Sequence, residues 1–355
     1  MQNGANPMHL LKRLLVNTPV VLVFSLLAGN GNAANGEGTF TGAETAEHPA
    51  WFKDSFLDFE EDVQEAASHN KRVMLYFYQD GCPYCSKLVK DNFGQDDIVE
   101  IMQANLESIA INMWGDREVV TIGGKPYTEK NFAAALRVNF TPTLVFLDEQ
   151  GKVALRINGY YPPDKFRLVL AYVTGHTEKS VDFHDYMAAH TATASGKLNA
   201  EPFFMPPPYA LARNRVAANR PLAVFFEQAP CTNCDILHKK ILADPATRAL
   251  VEQFESVQLD MRSDTPVITP GGEKTTAGEW ARKLDLGYAP SIVFFDRRGK
   301  EVMRIDAFLK TFHVQSVFDY VLQEAYLEEP SFQRYISARA ARLLEKGVDV
   351  DIFGY

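Results

Sequence analysis

The sequence predicts an α/β protein of two tandem units, each a mixed central sheet with helices on both faces. Three observations predict it. An internal repeat spans some hundred residues at an offset of 148–149. Each copy ends an apolar, β-rich run in a C-x-x-C pair, VMLYFYQDGCPYC at 73–85 and LAVFFEQAPCTNC at 222–234. Each then carries a proline, Pro142 or Pro290, opening a hairpin whose residues Val145, Phe146, Asp148, Gly151 and Lys152 recur as Val293, Phe294, Asp296, Gly299 and Lys300. Ordered matches over that length mark a tandem duplication.

The elements follow in order. A helix (59–69; 211–218) leads into a strand (73–78; 222–227). The cysteine pair comes next and a helix opens at it (85–92; 234–242). A second strand covers 108–113 and 256–261. A polar segment with a Gly-Gly turn precedes a short helix (129–136; 278–284). Thr141-Pro142 and Ala289-Pro290 then open hairpins, in which 143–147 pairs with 153–157 and 291–295 with 301–305. A last helix covers 163–174 and 312–324. Phe183 and Tyr186, matched by Phe332 and Tyr335, mark one further helix after each unit. The C-terminal one, 331–346, has an apolar stripe that is expected to pack on its own unit.

Of 355 residues, 46% are apolar and 23% charged, which excludes a disordered or collagen-like chain. The net charge of −9 and the lack of a basic run argue against nucleic acid as a partner. Residues 1–33 read as a secretory signal: Lys12 and Arg13 lead an apolar core, Val20–Ala28, and small residues 31–33 offer a cleavage site. Nine residues, Ser25 among them, are too few to span a bilayer, so an exported, periplasmic protein without a stable membrane anchor is expected. The remaining chain divides into a first domain at 40–195, a proline-rich linker at 196–210, a second domain at 211–347 and a tail at 348–355.

The only cysteines are Cys82, Cys85, Cys231 and Cys234. A disulfide across C-x-x-C closes a four-residue loop and stabilises by roughly 2 kcal/mol, against about 4.7 for a 100-residue loop. As a staple this is poor. As a reversible two-electron couple it is apt, because the second thiol reaches any mixed disulfide formed on the first. A helix starting at the pair favours thiolate at the first sulfur. Lowering its pKa from about 8.5 to about 7 raises the thiolate fraction at pH 7 from roughly 3% to a half. Cys82 and Cys231 are therefore expected to be exposed nucleophiles, and Cys85 and Cys234 resolving thiols. A four-sulfur zinc site is the competing reading, but 145 residues separate the pairs and each sits at its own strand–helix junction. No metal or other cofactor is expected. A cis bond at Pro142 and Pro290 would present the preceding backbone to an extended substrate peptide.

Strand, C-P-Y-C, helix and Thr-Pro before a hairpin resemble the thioredoxin superfamily. The segments 76–88 (YFYQDGCPYCSKL), 112–119 (NMWGDREV), 141–152 (TPTLVFLDEQGK) and 159–166 (GYYPPDKF) are similar to the exported SoxW-like thioredoxins of bacterial sulfur oxidation. The resemblance implies two tandem thioredoxin-like domains and a thiol–disulfide oxidoreductase. It makes Cys82 and Cys231 attacking, Cys85 and Cys234 resolving, and Pro142 and Pro290 the cis-prolines. Pro83, Tyr84, Thr141 and Ala289 join those prolines as substrate-binding residues. Protein thiols and disulfides are the implied partners, with a membrane thiol transporter as electron donor. Thioredoxins usually place a buried Asp six residues before the first cysteine; Tyr76 and Phe225 stand there instead, with Asp80 and Glu227 nearby. His238, one turn after Cys234, reads either as a residue that tunes that thiol or, in preference, as a solvated helix residue. Trp51, Trp114 and Trp280 read as packing residues, and Tyr160-Tyr161 as either site rim or core. A second reading is a redox-regulated peptide-binding or scaffold protein whose second domain, with its Thr232-Asn233 pair and Ala289, is not catalytic.

Overall fold

The computed structural model describes residues 37–190 and 196–355. The signal peptide read at 1–33 lies outside them. The first unit contains β1 (Phe40–Thr41), α1 (Phe59–Ser68), β2 (Arg72–Tyr78), α2 (Pro83–Lys87), α3 (Asp96–Asn105), β3 (Leu106–Asn112), β4 (Glu118–Val120), β5 (Pro126–Thr128), α4 (Glu129–Ala135), β6 (Thr143–Leu147), β7 (Val153–Asn158), α5 (Pro163–Thr174) and α6 (Phe183–His190). The second contains β8 (Tyr209–Ala210), β9 (Leu222–Glu227), α7 (Thr232–Ile236), α8 (Pro245–Val251), β10 (Glu255–Asp260), β11 (Pro266–Ile268), β12 (Lys274–Thr276), α9 (Ala277–Lys283), β13 (Ser291–Phe295), β14 (Glu301–Ile305), α10 (Thr311–Leu322), α11 (Phe332–Glu345) and β15 (Val350–Asp351).

Each unit has a four-stranded mixed sheet, in the orders β3-β2-β6-β7 and β10-β9-β13-β14. The first two strands of each order run parallel, and the rest pair antiparallel. The central strands β2 and β9 are buried almost throughout, as sheets covered on both faces require.

Several elements differ from the sequence expectation. Residues 211–218 form no helix. Leu211 N and Arg213 N bond to Ile268 O and Pro270 O, so the chain continues alongside β11 and pairing overrides helix propensity. The helices at the cysteine pairs begin at Pro83 and Thr232, and pass into π-helical turns at Leu88–Asn92 and Leu237–Ile241. α3 and α8 were not assigned from sequence. The polar Gly-Gly segments are β-hairpins, β4–β5 and β11–β12. The proline-rich segment at 196–210 is not a free spacer: Phe204 packs on Phe225, and Met205 N bonds to Ser256 O. Residues 350–351, expected in a tail, pair parallel with β1.

The two units share one apolar core, which runs from Phe52 and Tyr76 through Tyr160 and Tyr161 to Tyr288, Phe318 and Phe332. At the seam, repeat-related residues meet each other. Asn158 Nδ2 donates to Asp306 at 3.1 Å, and Tyr160 forms an antiparallel bridge with Phe308. A Cβ on Gly159 would lie 2.4 Å from that of Ala307, so this approach requires glycine. The pattern is that of an isologous interface built within one chain. Tyr160 and Tyr161, both buried, are therefore seam and core residues.

The helices after each unit cross the seam. α6 carries Phe183 against Gly287 and Asp185 to Arg282 of the second unit. α11 carries Phe332 against Phe140, and Gln333 Nε2 to Asn139 O at 2.8 Å, in the first. The stripe on α11 thus packs on both units, not on its own alone. Among the described residues, no helix is long and apolar enough to cross a membrane.

A shared core implies shared cooperativity. Scanning calorimetry should show one unfolding transition, and Phe332→Ala should lower it as a whole by about 3–5 kcal/mol. Two resolved transitions, with only one moved by the substitution, would contradict this packing.

Candidate active site

Both cysteine pairs sit where a central strand ends and a helix begins, and each pair is joined as a disulfide, Cys82–Cys85 and Cys231–Cys234. The first cysteine caps its helix in both: the N–H of Cys85 points at Cys82 Sγ at 3.0 Å, and that of Cys234 at Cys231 Sγ at 3.0 Å. Thr141-Pro142 and Ala289-Pro290 are both cis. The carbonyl before each proline faces the sulfur, Thr141 O at 3.4 Å from Cys82 Sγ and Ala289 O at 3.6 Å from Cys231 Sγ.

A sequence model of the thioredoxin-like domain family matches twice, over residues 59–174 and 210–322. The chain belongs to the thioredoxin-like domain family. With a disulfide-forming C-x-x-C in each unit it is a thiol–disulfide oxidoreductase. No curated protein matches it. Among solved structures it is similar to a thioredoxin-fold protein from Helicobacter pylori, with 23% identity, 34% of this chain and 80% of that one covered, and a TM-score of 0.30. It is also similar to the periplasmic thioredoxin SoxS from Paracoccus pantotrophus, with 24% identity, 30% and 99% covered, and a TM-score of 0.22. For the DsbD C-terminal domain of Neisseria meningitidis the figures are 18%, 37% and 100%, and 0.25.

The two thioredoxin-like sites are not equivalent. The Thr141 hydroxyl donates to Cys82 Sγ at 3.2 Å, whereas Ala289 has no hydroxyl to offer Cys231. Cys82 was expected to be exposed, yet it is only 4% exposed, and Cys85 2%. Cys231 is half-buried, beside an exposed Thr232, above a Cys234 that is 1% exposed. The cause is the second unit. Pro83 and Tyr84, between the first two cysteines, are buried. Tyr84 Oη accepts from Lys310 N–H at 2.9 Å and lies 3.3 Å from His313 Nδ1, and its ring meets Phe353 edge-on. Burial pushes the His313 pKa down to about 4, which leaves a neutral ring beside the tyrosine hydroxyl. The corresponding Asn233 instead donates to Tyr288 Oη at 2.7 Å within its own unit.

Pro142 is buried and Pro290 partly so. Before Pro142, the backbone expected to receive an extended peptide is covered: Asn139 O is taken by Gln333, and Phe140 lies against Phe332. Trp114 is no core residue. It is 39% exposed and donates through Nε1 to Gln79 Oε1 at the rim of the first site. Trp51 is partly buried against the core, and Trp280 is buried.

The residues at the usual aspartate position carry no carboxylate. Tyr76 is buried with an unpartnered hydroxyl, and Phe225 is wholly buried. Two residues beyond Phe225, however, Glu227 is fully buried and faces His238. His238 is not solvated. Its Nε2 lies 2.9 Å from Glu227 Oε1, and its Nδ1 3.0 Å from Glu201 Oε1. Both ring nitrogens face carboxylates, a setting that favours the doubly protonated, charged ring. Burial alone would lower its pKa, but the hydrogen bonds and charges of Glu227 and then Glu201 outweigh burial and leave it raised. Isolated residues in a sequence gave no sign of this buried trio, because Glu201 arrives from the proline-rich segment.

Thr141→Ala should raise the Cys82 thiol pKa by about one unit, the equivalent of one hydrogen bond to a charged sulfur. Ala289→Thr should lower that of Cys231. The pH dependence of alkylation checks both, and unchanged titration of Cys82 would contradict the hydroxyl's role. The raised pKa of His238 contributes stability that is full below pH 6.5 and is lost as pH rises through the folded value. The stability gap between the native chain and His238→Gln should therefore shrink from pH 6 to pH 9 in calorimetry. A gap independent of pH would mean an uncharged ring.

Proposed function

We propose that this chain is an exported, periplasmic disulfide oxidoreductase that reduces or exchanges disulfides through two separate couples. One observation carries the reading. In both units an S–S bond stands at a strand–helix junction with the carbonyl before a cis-proline beside the first sulfur. Cys82 and Cys231 act as attacking thiols, stabilised as thiolates by the N–H at the helix start. Cys85 and Cys234 resolve the mixed disulfide. Electrons enter from a membrane thiol transporter, since the chain carries no cofactor motif of its own. The sequence resemblance of the first unit to SoxW-like thioredoxins favours a sulfur-carrier thiol as one physiological partner. Protein disulfides meet the half-buried Cys231 more readily than the enclosed Cys82. That ordering weighs against a scaffold reading in which the second unit is inert.

Insulin reduction tests the assignment. Cys82→Ser with Cys231→Ser should abolish catalysis down to the rate of the reductant alone. Undiminished turnover in the double variant would remove the proposal.

A further inference from the structure

We infer that the first couple serves a low-molecular-weight, uncharged disulfide, and that protein disulfides are left to the second. The inference rests on the oxidoreductase reading and names the substrate class of one of its two sites.

Cys82 lies at the floor of a cavity of about 320 Å³. The first unit supplies Gln79, Trp114 and Phe140 to its walls; the second supplies Phe312, Gln333 and Ile336. A folded protein presents a disulfide on a stretch of backbone, and that backbone needs an open groove along residues 139–141. Here the groove is occupied. Phe332 covers Phe140, Gln333 takes Asn139 O, and Tyr84 is locked under Lys310 and Phe353. Yet the cover does not fill the space above the sulfur, as a plug would. The volume left is at the low end of the range that holds small ligands. The walls mix apolar side chains with neutral polar groups, the amides of Gln79 and Gln333 and the hydroxyls of Thr141 and Ser337. Among the described residues they include one carboxylate, Asp80, the neutral His313, and no Lys or Arg. Such a lining favours an uncharged molecule over an anionic one such as glutathione disulfide.

The step balances within the couple. The reduced Cys82 thiolate attacks one sulfur of R–S–S–R, the S–S bond breaks, and RS⁻ leaves and takes up a proton. Cys85 thiolate then attacks the Cys82 sulfur and expels the second RS⁻, which is protonated in turn. Two electrons pass from the dithiol to the small disulfide, giving two R–SH and the Cys82–Cys85 disulfide. A dithiol such as dithiothreitol reloads the couple.

The test uses the full chain in two forms, one with Cys231→Ser and Cys234→Ser, the other with Cys82→Ser and Cys85→Ser. Each is pre-reduced, freed of dithiothreitol and mixed with bis(2-hydroxyethyl) disulfide or with insulin. Oxidation of the remaining couple is followed by alkylation and mass. The rate ratio of small disulfide to insulin is expected to be at least 100-fold higher for the first couple than for the second. Ser337→Trp, an exposed change at the cavity rim, is expected to slow the small disulfide at least 10-fold at the first couple and to leave the second unchanged. Ratios within threefold of each other, or a Ser337→Trp variant that reacts normally, would overturn the inference. If neither probe oxidises either couple, the oxidoreductase reading itself falls.

Discussion

The pairing of the two repeats along their equivalent edges is the constraint on which the rest depends. Gly159 against Ala307, Asn158 against Asp306 and Tyr160 against Phe308 bring residues 148 positions apart into contact. A duplicated sequence can pair in this self-complementary way without any new surface, as identical subunits do. Once the edges meet, the helix that follows each unit has the other unit's cysteine face within reach. α6 and α11 cross accordingly, and one apolar core spans both units, while a separate cluster remains on the other face of each sheet.

Symmetry ends at the termini of the described chain. β15 pairs with β1, and Phe353 closes on Tyr84, while Asn233 bonds to Tyr288 of its own unit. Local chemistry then diverges in step. The first site keeps a threonine hydroxyl on its sulfur and a phenol that bonds across the seam. At the second site the alanine gives no such bond, the asparagine turns inward to Tyr288, and the trio Glu227, His238 and Glu201 is buried beneath its helix. Duplication thus gave two copies of one redox device, and burial separates their roles.

Much of this was legible in the sequence because it is local. The cysteine pairs, the hairpins after Pro142 and Pro290 and the last helices rest on short-range patterns, and they stand where those patterns put them. The repeat made each assignment in one unit a check on the other, except where pairing won. Residues 211–218 follow β11 instead of repeating α1, because backbone bonds to Ile268 and Pro270 outweigh a modest helix propensity. The burial of Cys82 was not legible. It depends on Tyr84 meeting His313 and on Asn139 meeting Gln333, contacts between residues about two hundred positions apart. The same holds for His238, whose ring looked solvated from its helix position alone. Its partners come from β9 and from the proline-rich segment.

If the second unit roofs the first couple, it restricts access to one sulfur atom, Cys82 Sγ. Competitive alkylation of the fully reduced chain measures it directly, with iodoacetamide as the small reagent and a polymer-linked maleimide as the bulky one. Iodoacetamide should reach both Cys82 and Cys231, whereas the bulky reagent should label Cys231 at least tenfold faster than Cys82. Equal labelling of the two by the bulky reagent would contradict the enclosure.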